Sequence, residues 1–184
     1  VTVDWGGVKD KTCAVLHYYD FLNDTDVFWD ERVYEPNTPS SVIIAGIKDM
    51  EAQFLSIRES HTIQSRFIDA PYQFVRVDLL QQYQYEANVP TKPDWKSSVN
   101  ILNNRFKIGK AVIHPRCQFL ILSARSGMFN NQKTDFDRSQ ALGHCDGIAS
   151  MMYAVRMRDT SDPFPKHQFY SPKPNILETG TFAQ

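Results

Sequence analysis

The hydrophobic period of this chain changes partway along, and that change limits its fold more than any other feature. Up to residue 34 the sequence reads as strands. Val1-Thr2-Val3-Asp4 alternates, Gly6-Gly7 supplies a turn, and Thr12-Cys13-Ala14-Val15-Leu16 returns beside it. After a polar turn at Asn23-Asp24-Thr25-Asp26, Val27-Phe28-Trp29 to Val33-Tyr34 makes a third strand. The period then becomes helical. Thr38-Pro39-Ser40-Ser41 offers capping oxygens and a first-turn proline, and Ile43, Ile47, Met50 and Phe54 follow at helical spacing. Ser65 to Asp69 predicts a strand, Ala70-Pro71 opens a helix carrying Phe74, Val77 and Leu80, and Lys96 to Phe106 predicts another with Val99, Leu102 and Phe106 on one side. Ala111-Val112-Ile113 is a short strand ended by His114-Pro115, Cys117 to Ala124 a helix, and Ile148, Met151, Met152 and Val155 mark a last helix ending near Arg158. Three antiparallel strands followed by alternating helices and strands predict an α/β fold, a mixed sheet with helices on its faces.

A chain of 184 residues is long enough to bury a core in one domain. We place that domain at 1–162. The prolines Pro163, Pro165, Pro172 and Pro174 make 163–184 an extended or disordered tail, and 130–138 reads as a polar loop. No apolar run approaches the roughly 20 residues of a membrane span, so a soluble protein is expected. Cys13, Cys117 and Cys145 form no CxxC pair, which argues against a disulfide framework or structural zinc and for a reducing compartment. No signal peptide or native start is visible at Val1, and the chain reads as a fragment. Although the net charge is −1, Lys92 to Arg125 carries seven basic residues against one acid, a candidate footprint for a polyanion or simply a solvated face.

Three carboxylates stand where chemistry would want them: Asp4 ending the first strand, Asp69 ending the fourth, and Asp146 opening the last helix. Each also has an ordinary reading, as a turn residue or an N-cap. Strand ends are where open α/β sheets build sites, and oxygen donors suit hard divalent cations.

The surrounding residues are more specific. Val3-Asp4-Trp5-Gly6-Gly7, with Asp10, Lys11 and Thr12, resembles the first hairpin of ribonuclease H-like nucleases, and Phe67-Ile68-Asp69 resembles their second acidic position. Gly143 to Ala154, with Tyr153-Ala154 seven residues after Asp146, resembles the end of the nuclease domain of viral large terminase subunits. Lys107 to Ile113 resembles the helix-to-strand step before that segment, and the likeness runs from about Val1 to Arg158. Ala149 departs from it, standing where many relatives carry a second aspartate, which leaves His144, Asp135 or Asp137 as candidate further ligands, His144 foremost.

The resemblance implies a ribonuclease H-like sheet and a two-metal endonuclease that cuts concatemeric double-stranded viral DNA during packaging. Two Mg²⁺ or Mn²⁺ ions would be held by Asp4, Asp69 and Asp146, with Asp4 bridging, and the products would be a 5′-phosphate and a 3′-hydroxyl. Lys96, Arg105, Lys107 and Lys110 are the candidate phosphate contacts, with Lys9 and Lys11 as additions. Implied partners are a terminase ATPase domain, the portal protein and the small terminase subunit, at the procapsid portal in the host cytoplasm. The chain itself lacks a phosphate-binding loop: Gly109-Lys110 has Asn104 where the first glycine belongs and Ala111 where the hydroxyl belongs. A resolvase- or transposase-type nuclease, an actin-like ATPase lobe and a non-catalytic DNA- or portal-docking module are the rival readings.

Overall fold

The computed structural model describes residues 1–6, 8–57, 61–70, 72–91, 95–127 and 145–160. Five strands form one mixed sheet in the order β4-β1-β2-β3-β5. The strands are β1 (Thr2–Asp4), β2 (Thr12–Asp20), β3 (Thr25–Tyr34), β4 (Phe67–Asp69) and β5 (Ala111–Ile113). β1, β2 and β3 pair antiparallel, while β4 and β5 add parallel to β1 and β3 at the two edges. The expected antiparallel start and parallel additions are therefore present. β2 and β3 both run further than the sequence pattern suggested. Thr25 and Asp26, read as turn residues, belong to β3, and the turn lies at Phe21 to Asp24.

The helices are α1 (Ser40–Ile57), α2 (Gln73–Tyr83), α3 (Trp95–Lys107), α4 (Gln118–Ser126) and α5 (Asp146–Met157). They cover both faces because successive strand side chains point to opposite sides. Cys13 and Val15 join Phe28, Val99, Leu102, Leu120, Met151 and Val155 in one core. Ala14 and Leu16 join Val3, Ile68, Ile43, Ile44, Ile47, Met50 and Phe54 in the other. Phe74, Val77 and Leu80 do not form the inward face of α2; all three are exposed, and Leu79 is the buried residue. Val75 and Tyr83, four residues to either side of Leu79, pack with it against the α1 core, so the inward stripe lies about 160° round the helix from Phe74, Val77 and Leu80.

Two polar clusters fix this frame. Arg66, just before β4, grips buried Glu51 of α1 through two hydrogen bonds of 2.8 Å, and the Tyr85 hydroxyl donates to the same carboxylate at 3.0 Å. At the β2–β3 hairpin end, fully buried Asp26 accepts from Arg105 Nε at 2.9 Å, faces His17 Nε2 at 2.9 Å and lies 3.3 Å from Arg158 Nε. Arg105 also donates to Asp24 Oδ1 and to the Asp24 carbonyl oxygen.

This second cluster gives stability a pH dependence. Burial, the largest influence, lowers the pKa of His17 below its ordinary 6.5, while the hydrogen bond and charge of Asp26 oppose it. The unfolded chain therefore takes up a proton that the folded chain resists. The stabilisation is present above the unfolded value of 6.5 and is lost as pH falls below it. Urea midpoints measured from about pH 8 down to about pH 5 should decline, and His17→Gln should flatten that decline.

Candidate functional site

β1 and β4 place two acids side by side. Their register pairs Val3 with Ile68 and Asp4 with Asp69, so the two aspartates end adjacent parallel strands, about 4.8 Å apart in the hydrogen-bonding direction. Val3 and Ile68 point into the α1 core, and the alternation of the strand sends Asp4 and Asp69 to the opposite face, where α5 lies. The Trp5 amide donates to the Asp69 carbonyl at 2.7 Å and extends the pairing one residue past the acids. Beyond Trp5 the chain must turn tightly: a Cβ on Gly6 would stand 2.2 Å from the Lys11 carbonyl oxygen, so only glycine fits.

α5 supplies the rest. Asp146, Ser150 and Tyr153 recur at intervals of four and three residues, which at about 100° per residue puts them within a stripe about 60° wide. The Ser150 hydroxyl accepts from the Asp4 amide at 3.2 Å and donates to the Cys13 carbonyl at 2.9 Å. Thr2 Oγ1 donates to the Ser150 carbonyl at 3.0 Å, and Tyr153 donates to Asp69 Oδ2 at 2.5 Å. Asp146, one helical turn before Ser150, is 3% exposed.

The charges of Asp4 and Asp146 both reach Cys13, the register partner of Asp4 on β2. Burial pushes the Cys13 thiol up, and the charges of Glu31, Asp4 and Asp146 push it the same way. Burial likewise raises the Tyr153 phenol, reinforced by its hydrogen bond to Asp69 and by the charges of Asp69 and Asp4.

Two local features hold α5 in this position. Cys145 adopts a left-handed conformation (φ 63°) and its carbonyl accepts the first amides of the helix, so the chain enters α5 through a sharp bend at Asp146. A Cβ on Gly147 would come within 2.6 Å of Ser123 Oγ and 3.1 Å of the Phe119 ring, so glycine lets α5 pack closely on α4. α4 is in turn anchored by Glu31 of β3, whose carboxylate accepts the Phe119 and Leu120 amides at 2.8 and 2.9 Å.

The donor set is made of carboxylate oxygens, which suits Mg²⁺ or Mn²⁺. Among the described residues no group of three His, Cys, Asp or Glu side chains gathers closely enough to hold a metal ion. His144, Asp135 and Asp137 lie outside the described residues, as do the rest of the polar loop at 130–138 and the tail from 163 onward.

Arg105 and Lys110 are not beside the acids. Asp4 pairs with Cys13 on β2, whereas Asp26 pairs with Tyr19, roughly 20 Å further along that strand, and Arg105 and Lys110 sit at this far end. Arg105 is bound to Asp24 and Asp26, and Lys110 Nζ donates to the Asn23 carbonyl at 2.7 Å. Lys96 and Lys107 are exposed at the two ends of α3. Lys11 pairs with Glu35. Cys13, Cys117 and Cys145 are buried free thiols, and no helix among the described residues is long and apolar enough to cross a membrane. The contacts of Ser150, Thr2 and Tyr153 were not anticipated, although the 146/150/153 spacing on a helix opened by an acid carries the signal.

No protein-family profile matches the chain, and no curated protein is similar to it in sequence. Solved structures are similar. The large terminase of a thermophilic bacteriophage shares 14% identity and a TM-score of 0.63 over 85% of this chain, which spans 38% of that protein's length. The P22 large terminase nuclease domain shares 11% identity and a TM-score of 0.58, covering 85% of this chain and 79% of that domain. The nuclease domain of the bacteriophage SPP1 large terminase, solved with bound Mn, shares 14% identity and a TM-score of 0.52, covering 84% and 83%. The mixed sheet and its covering helices thus form an α/β fold that this chain shares with the nuclease domains of phage large terminases.

Proposed function

We propose that this chain is a metal-dependent endonuclease domain that cuts double-stranded viral DNA during genome packaging. The observation that carries the reading is the pairing of Asp4 with Asp69 at the ends of adjacent parallel strands, on the face covered by α5, the helix that Asp146 opens. Two carboxylates at paired strand ends repel one another, and a divalent cation would offset that repulsion. The SPP1 nuclease domain was solved with Mn, which supports the same cation class here.

In this reading Asp4, Asp69 and Asp146 would hold two divalent ions, and His144, which lies outside the described residues, is the candidate further ligand. Bound there, divalent metal polarises the phosphate and acidifies a water for attack on phosphorus. The protein's own part is to hold its carboxylates still. Ser150 fixes the Asp4 backbone to β2, Tyr153 donates to Asp69, and Asp146 is buried at the start of α5. Lys96, Arg105, Lys107 and Lys110 are the candidates for contact with DNA phosphates; Lys107 is exposed, whereas Arg105 and Lys110 already donate to the β2–β3 turn. An ATPase domain, the portal and the small terminase subunit are the partners this reading brings with it, in the host cytoplasm.

The test is incubation of supercoiled plasmid with the purified chain in Mn²⁺, Mg²⁺ or EDTA. Nicked and linear products in either metal, absent in EDTA, are expected. A folded chain that cuts in none of these conditions, alone or joined to the ATPase domain, would overturn the proposal.

A further inference from the structure

We infer that Tyr153 is a positioning residue for the divalent-metal site, acting through Asp69; this rests on the metal-dependent reading above. A metal-holding carboxylate must be correct in rotation as well as in place, because productive geometry tolerates only about 0.5 Å and about 10–20° of error. The backbone of Asp69 is fixed by pairing with β1, but pairing does not set the rotation of its carboxylate. Tyr153 does. Its hydroxyl donates to Oδ2 at 2.5 Å, and its ring rises from a helix that is itself tied to β1 and β2 through Thr2, Asp4 and Cys13. The phenol therefore restrains the rotation of the Asp69 carboxylate through Oδ2.

Contacts that orient a metal ligand commonly set metal affinity by about 10- to 100-fold. Tyr153→Phe removes one oxygen and keeps the ring. In a titration of Mn²⁺ followed by the electron paramagnetic resonance of the free ion, it should raise the half-saturating concentration by about 10- to 100-fold. Circular dichroism should match the parent, and affinity for DNA in EDTA should be unchanged. In an Asp69→Ala background the same substitution should leave Mn²⁺ binding unaltered.

Half-saturation within about twofold of the parent would overturn the proposal, as would an equal loss in the Asp69→Ala background. If Tyr153→Phe does not fold, fluorotyrosine placed at 153 keeps the hydroxyl and gives an assigned fluorine resonance. That resonance should move with Mg²⁺ saturation, and a resonance that stays still while the protein binds Mg²⁺ overturns the proposal equally. Failure of the parent chain to bind either cation would instead sink the metal-dependent reading, so the two failures are distinguishable.

Discussion

Asp4→Asn, Asp69→Asn and Asp146→Asn should each lose plasmid cleavage by at least about 10²- to 10³-fold, the scale of deleting one electrostatic element from a preorganised site. Without metal, none of the three should unfold earlier than the parent. Asp4 and Asp69 occupy paired positions on neighbouring strands, and Asp146 is buried close enough for its charge, like that of Asp4, to act on the Cys13 thiol. Such a constellation carries like-charge repulsion that the fold tolerates for a reason other than stability. Replacing one carboxylate by its neutral isostere relieves the repulsion while preserving shape. Hydrogen bonds to the Asp4 amide are unaffected, because they use the backbone. Thermal unfolding in EDTA should therefore show midpoints equal to or above the parent's, and Mn²⁺ should raise the parent's midpoint more than any variant's. Variants that keep cleavage within about tenfold of the parent would remove the acids from the mechanism. Variants that lose cleavage only by unfolding would make them structural.

The two halves of this site were unequally visible in the sequence. Asp4 and Asp69 follow short alternating segments whose inward residues, Val3 and Ile68, reveal the strands, and the end of a strand is a position the residue order can identify. The spacing of Ile43, Ile47, Met50 and Phe54 likewise fixed the buried side of α1, because a long helix against a sheet has one solution. α2 behaved otherwise. It has apolar residues at 74, 75, 77, 79 and 80, and which of them turn inward depends on how the helix lands on α1, a tertiary choice its own periodicity leaves open. The contacts of α5 depend on the register of a helix against strands 84 to 148 residues earlier in the chain. The spacing of Asp146, Ser150 and Tyr153 shows a shared stripe, but only the docked helix shows that the stripe meets Asp4 and Asp69. Charge was the least legible property. Arg105, Lys107 and Lys110 are neighbours in sequence, yet one is enclosed with acids, one is exposed and one reaches a turn carbonyl.

That divergence leads to the largest stability effect expected in the molecule. Asp26→Ala should destabilise the fold by about 3–5 kcal/mol, because it removes the anion between Arg105, Arg158 and His17 and leaves cations without their buried counter-charge. For a domain of this size that corresponds to a fall of roughly 6–20 °C in the unfolding midpoint. Arg105→Ala should fall less far, since Arg158 remains 3.3 Å from Asp26. Combining Asp26→Ala with Arg105→Met should recover part of the loss by removing a cation the first change stranded while keeping an apolar stem of similar length. The same variants separate structure from DNA contact. If Arg105 serves the fold, Arg105→Ala measured well below its unfolding midpoint should bind DNA with the parent's dependence on salt. Lys107→Ala, made at an exposed residue, should unfold with the parent and lower the slope of log affinity against log salt by about one. A reversed pattern, with salt dependence lost at Arg105 and stability unaffected at Asp26, would mean that the cluster opens to meet phosphate. The roughly 20 Å of sheet between it and the acids would then be a track along which the duplex lies.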